Sequence, residues 1–259
     1  MADDRGCFVW YDLMTPDKDA AIAFYREVTG WGIQEWEGGA WPYTMWTAGE
    51  APLGGIVPMG EAEREKGLPP HWLAYVFVPD VDAAAVRVEE LGGQVMHPPT
   101  DIPGAGRFTV IADPQGAVIA LYTPSSGGSG EATQPTVGRF SWHELATSDW
   151  QAAFEFYSRL LGWERLEAMD MGEHGIYQLY GHGGAPLGGM FTRPADMPGP
   201  PAWLYYVRVA DLDAAAERVT ASGGTVLHGP MDVPGGDRIA QCLDPQGAFF
   251  ALHWTAQGA

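Results

Sequence analysis

Two acidic side chains stand in unusual company: Asp12 in the run "FVWYDLMT" and Glu144 in "FSWHELAT", each flanked by aromatic and aliphatic residues. A carboxylate beside apolar walls holds its proton more tightly than one in water, so either residue could act as an acid or a base, or bind an amine. Either could instead satisfy nearby backbone or tyrosine donors, and the sequence leaves both readings open. The histidines offer less. "WHEL" sets His143 beside Glu144, but strand alternation sends neighbours to opposite faces, which makes it a poor zinc signal. His97 and His228 each end a short strand, a place for edge hydrogen bonding or capping, and His71, His174 and His182 lack partners at convincing spacing. The glycine-rich "GEAPLGG" and "GHGGAPLGG" lack the lysine and hydroxyl of a phosphate loop and read as hairpin connections, so no nucleotide is implied.

Composition narrows the partners. With 33 acidic against 14 basic residues the formal charge is -19, which repels nucleic acid and anionic membrane surfaces. The start "MADDRGCFVW" has no basic region followed by an apolar run, and no later stretch approaches the roughly 20 apolar residues of a membrane span. A soluble cytoplasmic protein is expected, with a small-molecule ligand and neither nucleic-acid nor membrane partners. Cys7 and Cys242 occupy unmatched places and form no paired-cysteine motif.

The elements that must position these residues are written twice. "FVWYDLMTPDKDAAIAFYREVTGWG" from Phe8 matches "FSWHELATSDWQAAFEFYSRLLGWE" 132 residues later, and "WLAYVFVPDVDAAAVRVEELGGQVMH" from Trp72 matches "WLYYVRVADLDAAAERVTASGGTVLH" 131 residues later. Ordered matches at nearly constant spacing indicate a tandem duplication. The expected organisation is a first domain over 1–124, a linker over 125–137 and a second domain over 138–259.

Within each copy a second pattern recurs. Trp10 to Thr15 reads as a strand, Asp17 as a helix N-cap, and Ala21, Phe24, Tyr25 and Val28 fall at helical spacing as core residues before Gly30. Strands follow near Gly32–Trp36, Pro42–Thr47 and Leu53–Pro58. From Trp72 the order repeats: a strand to Val78, a helix capped by Asp82, and strands near Gln94–His97, Arg107–Ile111 and Ala117–Tyr122. The expected class is α+β, each copy holding two β-α-β-β-β modules that form a curved sheet around a cleft. "DPQG" at Asp113 and Asp244 reads as a type I turn before the closing strand.

The "DKDAAIAFYREVTGW" and "DWQAAFEFYSRLLGW" helices, the paired "DAAA" starts at Asp82 and Asp213 and both "DPQG" turns resemble the vicinal oxygen chelate superfamily of glyoxalases, bleomycin-resistance proteins and extradiol dioxygenases. The resemblance covers almost the whole chain outside the linker. It implies metal ligands at positions that here hold Trp10, Leu73 and Ala120 in copy one and Trp142, Leu204 and Ala251 in copy two. Those side chains cannot coordinate a cation. The remaining ligand position falls around "PLGG" from Pro52 and from Pro186 and also supplies nothing, so no metal and no cofactor is expected.

The same resemblance implies which residues face the cleft. Trp10, Tyr75, Phe77 and Tyr122 line copy one, and Trp142, Tyr206 and Arg208 line copy two, as ligand-binding candidates; Asp12, Glu144 and His253 are the catalytic candidates. These walls suit an aromatic or largely apolar molecule fixed by a few polar contacts. Phe77 to Arg208 and Tyr122 to His253 are the exchanges that make copy two the expected binder of a polar or anionic ligand. The leading expectation is a metal-independent protein that binds a small molecule; the alternative is a lyase, isomerase or oxygenase using acidic residues or a non-standard metal site. The two copies are expected to pair within one chain, with a homodimer as the further arrangement.

Overall fold

The computed structural model describes residues 5–38, 42–61, 65, 67–126 and 135–256. In copy one, β1 (Phe8–Thr15), α1 (Lys18–Thr29), β2 (Gly32–Trp36), β3 (Tyr43–Ala48) and β4 (Ala51–Pro58) form the first module. The second is β5 (His71–Phe77), α2 (Val81–Glu90), β6 (Gln94–Ile102), β7 (Gly106–Ala112) and β8 (Val118–Pro124). Copy two repeats the plan with β9 (Phe140–Thr147), α3 (Trp150–Leu161), β10 (Glu164–Asp170), β11 (Ile176–His182) and β12 (Ala185–Thr192). It continues with β13 (Ala202–Arg208), α4 (Leu212–Ala221), β14 (Thr225–Asp232), β15 (Arg238–Leu243) and β16 (Phe249–Trp254). The α+β class and the β-α-β-β-β modules are therefore present in both copies. Residues 127–134 of the expected linker lie outside the described residues.

The helices form for local reasons. Asp17 caps α1 by accepting from the Ala20 amide at 3.0 Å, and Gly30 ends it in the left-handed region with φ 75°. Asp149 and Gly162 do the same for α3. The cap of α2 is Asp80, not Asp82: Asp80 accepts from the Ala83 amide at 3.0 Å. Asp82 lies in the first turn and is taken by Arg107, with N–O distances of 2.8 and 2.9 Å. Asp211 and Asp213 divide the same two roles in α4, where Asp213 pairs with Arg238. Strand β6 runs on to Ile102 beyond the expected end at His97; its register shifts on either side of His97 admit Pro98 and Pro99 on an edge strand.

Compactness divides the chain differently from the repeat. One unit comprises the described parts of Met1–Val9, Ala74–Thr133 and His143–Trp203, the other those of Trp10–Leu73, Gln134–Trp142 and Leu204–Ala259. Each unit thus joins a first-type module from one copy to a second-type module from the other. In the first unit the strand orders are β5-β8-β7-β6 and β10-β11-β12-β9, and α2 meets α3; in the second they are β2-β3-β4-β1 and β13-β16-β15-β14, and α1 packs on α4.

"DPQG" joins the modules of a unit as well as turning the chain. In the second unit Asp244 accepts from the amides of Gln246 and Ala248, both at 2.9 Å, while its other oxygen accepts from the buried Tyr25 hydroxyl at 3.2 Å. Trp72 donates to that hydroxyl at 2.9 Å, and Phe250 packs edge-on against Phe24 and Tyr25. Gln246 binds the Thr15 hydroxyl at 2.6 Å and the main chain of Asp17. The first unit repeats this with Asp113, Tyr157 and Gln115. The "FY" pair therefore carries a polar bond as well as core packing. Among the described residues no helix is long and apolar enough to cross a membrane.

Candidate functional site

Asp12 and Gly55 face each other across the parallel β1–β4 pair, and Gly55 faces Met45 across β3–β4. Tyr43, two residues before Met45, shares that face. Its hydroxyl donates to Asp12 Oδ1 at 2.5 Å, and Trp10 Nε1 reaches the same oxygen at 3.1 Å and the Tyr43 oxygen at 2.8 Å. Asp12 is only 5% exposed, so these donors replace the water that a carboxylate otherwise requires. Burial, then the charge and hydrogen bond of Asp12, push the Tyr43 hydroxyl well above its ordinary range, so it stays protonated and donates the hydrogen bond. Gly55 is a condition of this arrangement, because a Cβ there would run into the Tyr43 ring and hydroxyl.

The first unit contains the counterpart. Glu144 faces Gly189 across β9–β12, and the Tyr177 hydroxyl donates to Glu144 Oε2 at 2.9 Å. A Cβ at Gly189 would strike the Tyr177 ring, which stacks on Phe191 at 6.0 Å. Both tyrosines were missed by the sequence reading, although Tyr43 and Tyr177 have the same 134-residue separation as Gly55 and Gly189. That shared spacing was the available signal. "PLGG" supplies no ligand, but it supplies the space in which each tyrosine meets its carboxylate.

In the second unit, Tyr206 lies opposite Ala251 and Arg208 opposite His253 across β13–β16, while Ile239 and Gln241 oppose His253 and Ala251 across β15–β16. Leu204, Tyr206 and Ala251 form a buried cluster against which Trp142 and Ile239 pack. Gln241 Nε2 donates to the Tyr206 hydroxyl at 3.0 Å, and Arg208 donates to the Pro135 carbonyl at 2.6 Å. His253 has two polar neighbours: Ser141 Oγ lies 2.8 Å from Nδ1 and Asp237 Oδ2 lies 3.0 Å from Nε2. Ser141 and Asp237 escaped the sequence reading because one sits at the start of a strand and the other in the turn before β15.

The matching face in the first unit is aromatic. Tyr75 opposes Ala120, Phe77 opposes Tyr122, and Phe108 opposes Tyr122. Tyr75 meets the rings of Phe108 and Tyr122 at 6.0 and 6.5 Å, and Tyr122 donates to the Ala105 carbonyl at 2.8 Å. Burial raises the proton affinity of the Tyr122 hydroxyl. His97 is exposed and stacks on Phe108.

His143 is a buried structural residue: Nδ1 bonds the Leu187 carbonyl at 2.7 Å, the ring stacks on Phe8 at 3.6 Å, and burial lowers its pKa to about 4. Both cysteines are buried, and burial pushes the Cys242 thiol up to about 12, which makes it a poor nucleophile.

A metal at the superfamily's usual ligand positions does not fit these residues. Leu73, Ala120, Leu204 and Ala251 are buried hydrocarbon, and the polar atom of Trp10 is an N–H that donates to Asp12 and Tyr43. Among the described residues no group of three or more His, Cys, Asp or Glu could hold a metal ion.

The family model described as Glyoxalase/Bleomycin resistance protein/Dioxygenase superfamily matches residues 8–121 and again 139–252. The chain belongs to this superfamily. Within it, the chain is 37% identical over 246 residues to "Putative glyoxylase CFP32" of Mycobacterium bovis, covering 94% of this chain and 92% of the relative. It is 33% identical over 267 residues to the anthracycline biosynthesis protein DnrV of Streptomyces peucetius, covering 98% and 94%. Among solved superfamily structures, the Mn(II)-bound glyoxalase from Novosphingobium aromaticivorans aligns with TM-score 0.65 at 17% identity, over 96% of this chain and 82% of that one. An extradiol ring-cleaving dioxygenase from B.fuscum gives TM-score 0.68 at 15% identity, over 97% and 72%.

Proposed function

We propose that the chain is an enzyme of this superfamily that binds a small, partly aromatic molecule and moves a proton on it with a carboxylate–tyrosine pair. The observation that carries this reading is Asp12, 5% exposed and bonded by the Tyr43 hydroxyl at 2.5 Å. The Glu144–Tyr177 pair offers the same chemistry in the first unit. In the proposed step the carboxylate takes a proton from carbon next to a carbonyl, and the tyrosine hydroxyl transfers its hydrogen bond to the developing oxyanion. Return of the proton at the neighbouring carbon completes an isomerisation; departure of a neighbouring group completes an elimination.

The comparisons support the enzymatic alternative better than the metal-free binding module that the sequence put first, since the solved neighbours include a glyoxalase and a dioxygenase. The Mn(II)-bound Novosphingobium glyoxalase also favours a metal-using member, but the donor set described above does not fit one, so the proposed step uses the acidic residues. The name of the Streptomyces relative supports a fused aromatic polyketide as the substrate class. Curvature of the strand faces around that molecule, pairing of the two copies within one chain, and preference of the Arg208-bearing face for a polar substituent belong to the same proposal.

The test is turnover and binding of fused aromatic ketones, with binding followed by tryptophan quenching and metal content by elemental analysis. Asp12→Asn with Glu144→Gln should lower turnover about 10²- to 10⁴-fold while binding persists. Unchanged turnover in the double variant excludes the proton role. Near-stoichiometric metal whose removal abolishes turnover overturns the choice of acidic residues.

A further inference from the structure

We infer that the second unit carries a separate acyl-transfer centre in which Ser141 is the nucleophile, His253 its base and Asp237 the group that orients the base. This goes beyond the proton-transfer reading and uses neither Asp12 nor Glu144. The imidazole spans 2.8 Å to Ser141 Oγ and 3.0 Å to Asp237 Oδ2. A carboxylate only accepts, so it fixes the Nε2–H tautomer and leaves the Nδ1 lone pair for the serine hydroxyl. The other acceptor near Ser141, the Tyr206 carbonyl, is farther away at 3.4 Å. The imidazole nitrogens exchange the roles they have in the common serine triad, but either nitrogen can act as the base.

Copy one ties the corresponding turn with one bond, from the Tyr122 hydroxyl to the Ala105 carbonyl, and builds the same module without this array. At the matching 132- and 131-residue offsets it has Val9, Gly106 and Tyr122 in place of Ser141, Asp237 and His253. Exposure suits chemistry as well: the His253 side chain is 13% exposed and that of Asp237 37%. Ile239, directly opposite His253, belongs with Trp142 to the apolar wall around Leu204 and Tyr206. An apolar side chain directly beside the base suits an ester of an apolar acid as the substrate class.

The step is balanced with water as co-reactant. Ser141 Oγ bonds to the ester carbonyl carbon as its proton passes to His253 Nδ1, and Asp237 stabilises the imidazolium. The C–O bond to the leaving alcohol then breaks as that proton reaches the alcohol oxygen, and water repeats the cycle to release the acid.

A fluorophosphonate probe and p-nitrophenyl butyrate test this on the full chain. Wild type should take up one phosphonyl group, located at Ser141 by peptide mass spectrometry, and release p-nitrophenol in a burst. Ser141→Val places the copy-one residue type at this position, and circular dichroism distinguishes its unfolding from loss of the nucleophile. That variant should stay folded and lose the adduct; His253→Gln and Asp237→Asn should slow labelling about 10²-fold. No adduct on wild type, or an adduct that survives in folded Ser141→Val, overturns the inference. Asp12→Asn should label at the wild-type rate, which separates this centre from the proton-transfer reading.

Discussion

The side-chain amide of Gln246 closes on the main chain of Asp17 from both sides: its oxygen accepts the Asp17 amide at 2.9 Å and its nitrogen donates to the Asp17 carbonyl at 2.8 Å. The contact holds the corner where β1 becomes α1, and Gln115 holds the equivalent corner at Asp149. Gln246→Leu and Gln115→Leu keep the volume but leave backbone groups unmatched. Each should lower unfolding free energy by about 1–3 kcal/mol in chemical denaturation, and a loss under about 0.5 kcal/mol would deny the contact its structural role.

Asp113 and Asp244 have their proton affinities raised, chiefly by burial and against the pull of backbone and tyrosine donors. The folded pKa therefore lies above the unfolded one, and the associated stability is present at low pH and fades as pH rises through the folded value. The Asp244→Asn variant should thus be most disadvantaged against wild type in acid and regain ground toward neutrality. Parallel denaturation curves at several pH values check this; a gap that widens as pH rises would refute it.

His143 titrates in the opposite sense. Its pKa falls from 6.5 to about 4 because the ring is buried, so unfolding takes up a proton between those values and stability drops as pH falls through that window. The full effect is on the order of 3 kcal/mol, complete below the folded pKa. Imidazole NMR signals of His143 should remain those of the neutral ring at about pH 5.5, inside that window, and His143→Phe should remove the corresponding slope.

Gly55→Ala and Gly189→Ala should evict Tyr43 and Tyr177 from their carboxylates, because the added methyl group occupies the space of each ring. Stability should fall by about 1–3 kcal/mol, as in other overpacked sites. Adding Tyr43→Ala to Gly55→Ala should recover stability without recovering turnover. Recovery of both would show that the tyrosine has no part in the chemistry.

The helices were legible because their signals are local: Asp17 and Gly30 bracket α1 within one stretch of chain, and the Phe24–Tyr25–Val28 spacing names its buried face. Asp80 and Asp82 show where that approach loses resolution, since both stand at the start of α2 and only the position of Arg107 tells cap from ion pair. The partners of Asp12 and His253 were less legible. Tyr43 is 31 positions from Asp12, and Ser141 is 112 from His253; strand pairing decides both meetings. Ser141 and His253 share no local stretch of chain, and only the order β9-β13-β16 brings the hydroxyl to the ring.

Because the chain passes from one compact unit to the other within β1, β5, β9 and β13, neither repeat owns a body of its own. Deleting a repeat would leave each unit without one of its two modules. The two repeats share strand order while differing in their reactive side chains. Ser141, Asp237 and His253, set against Val9, Gly106 and Tyr122, are an instance of that difference.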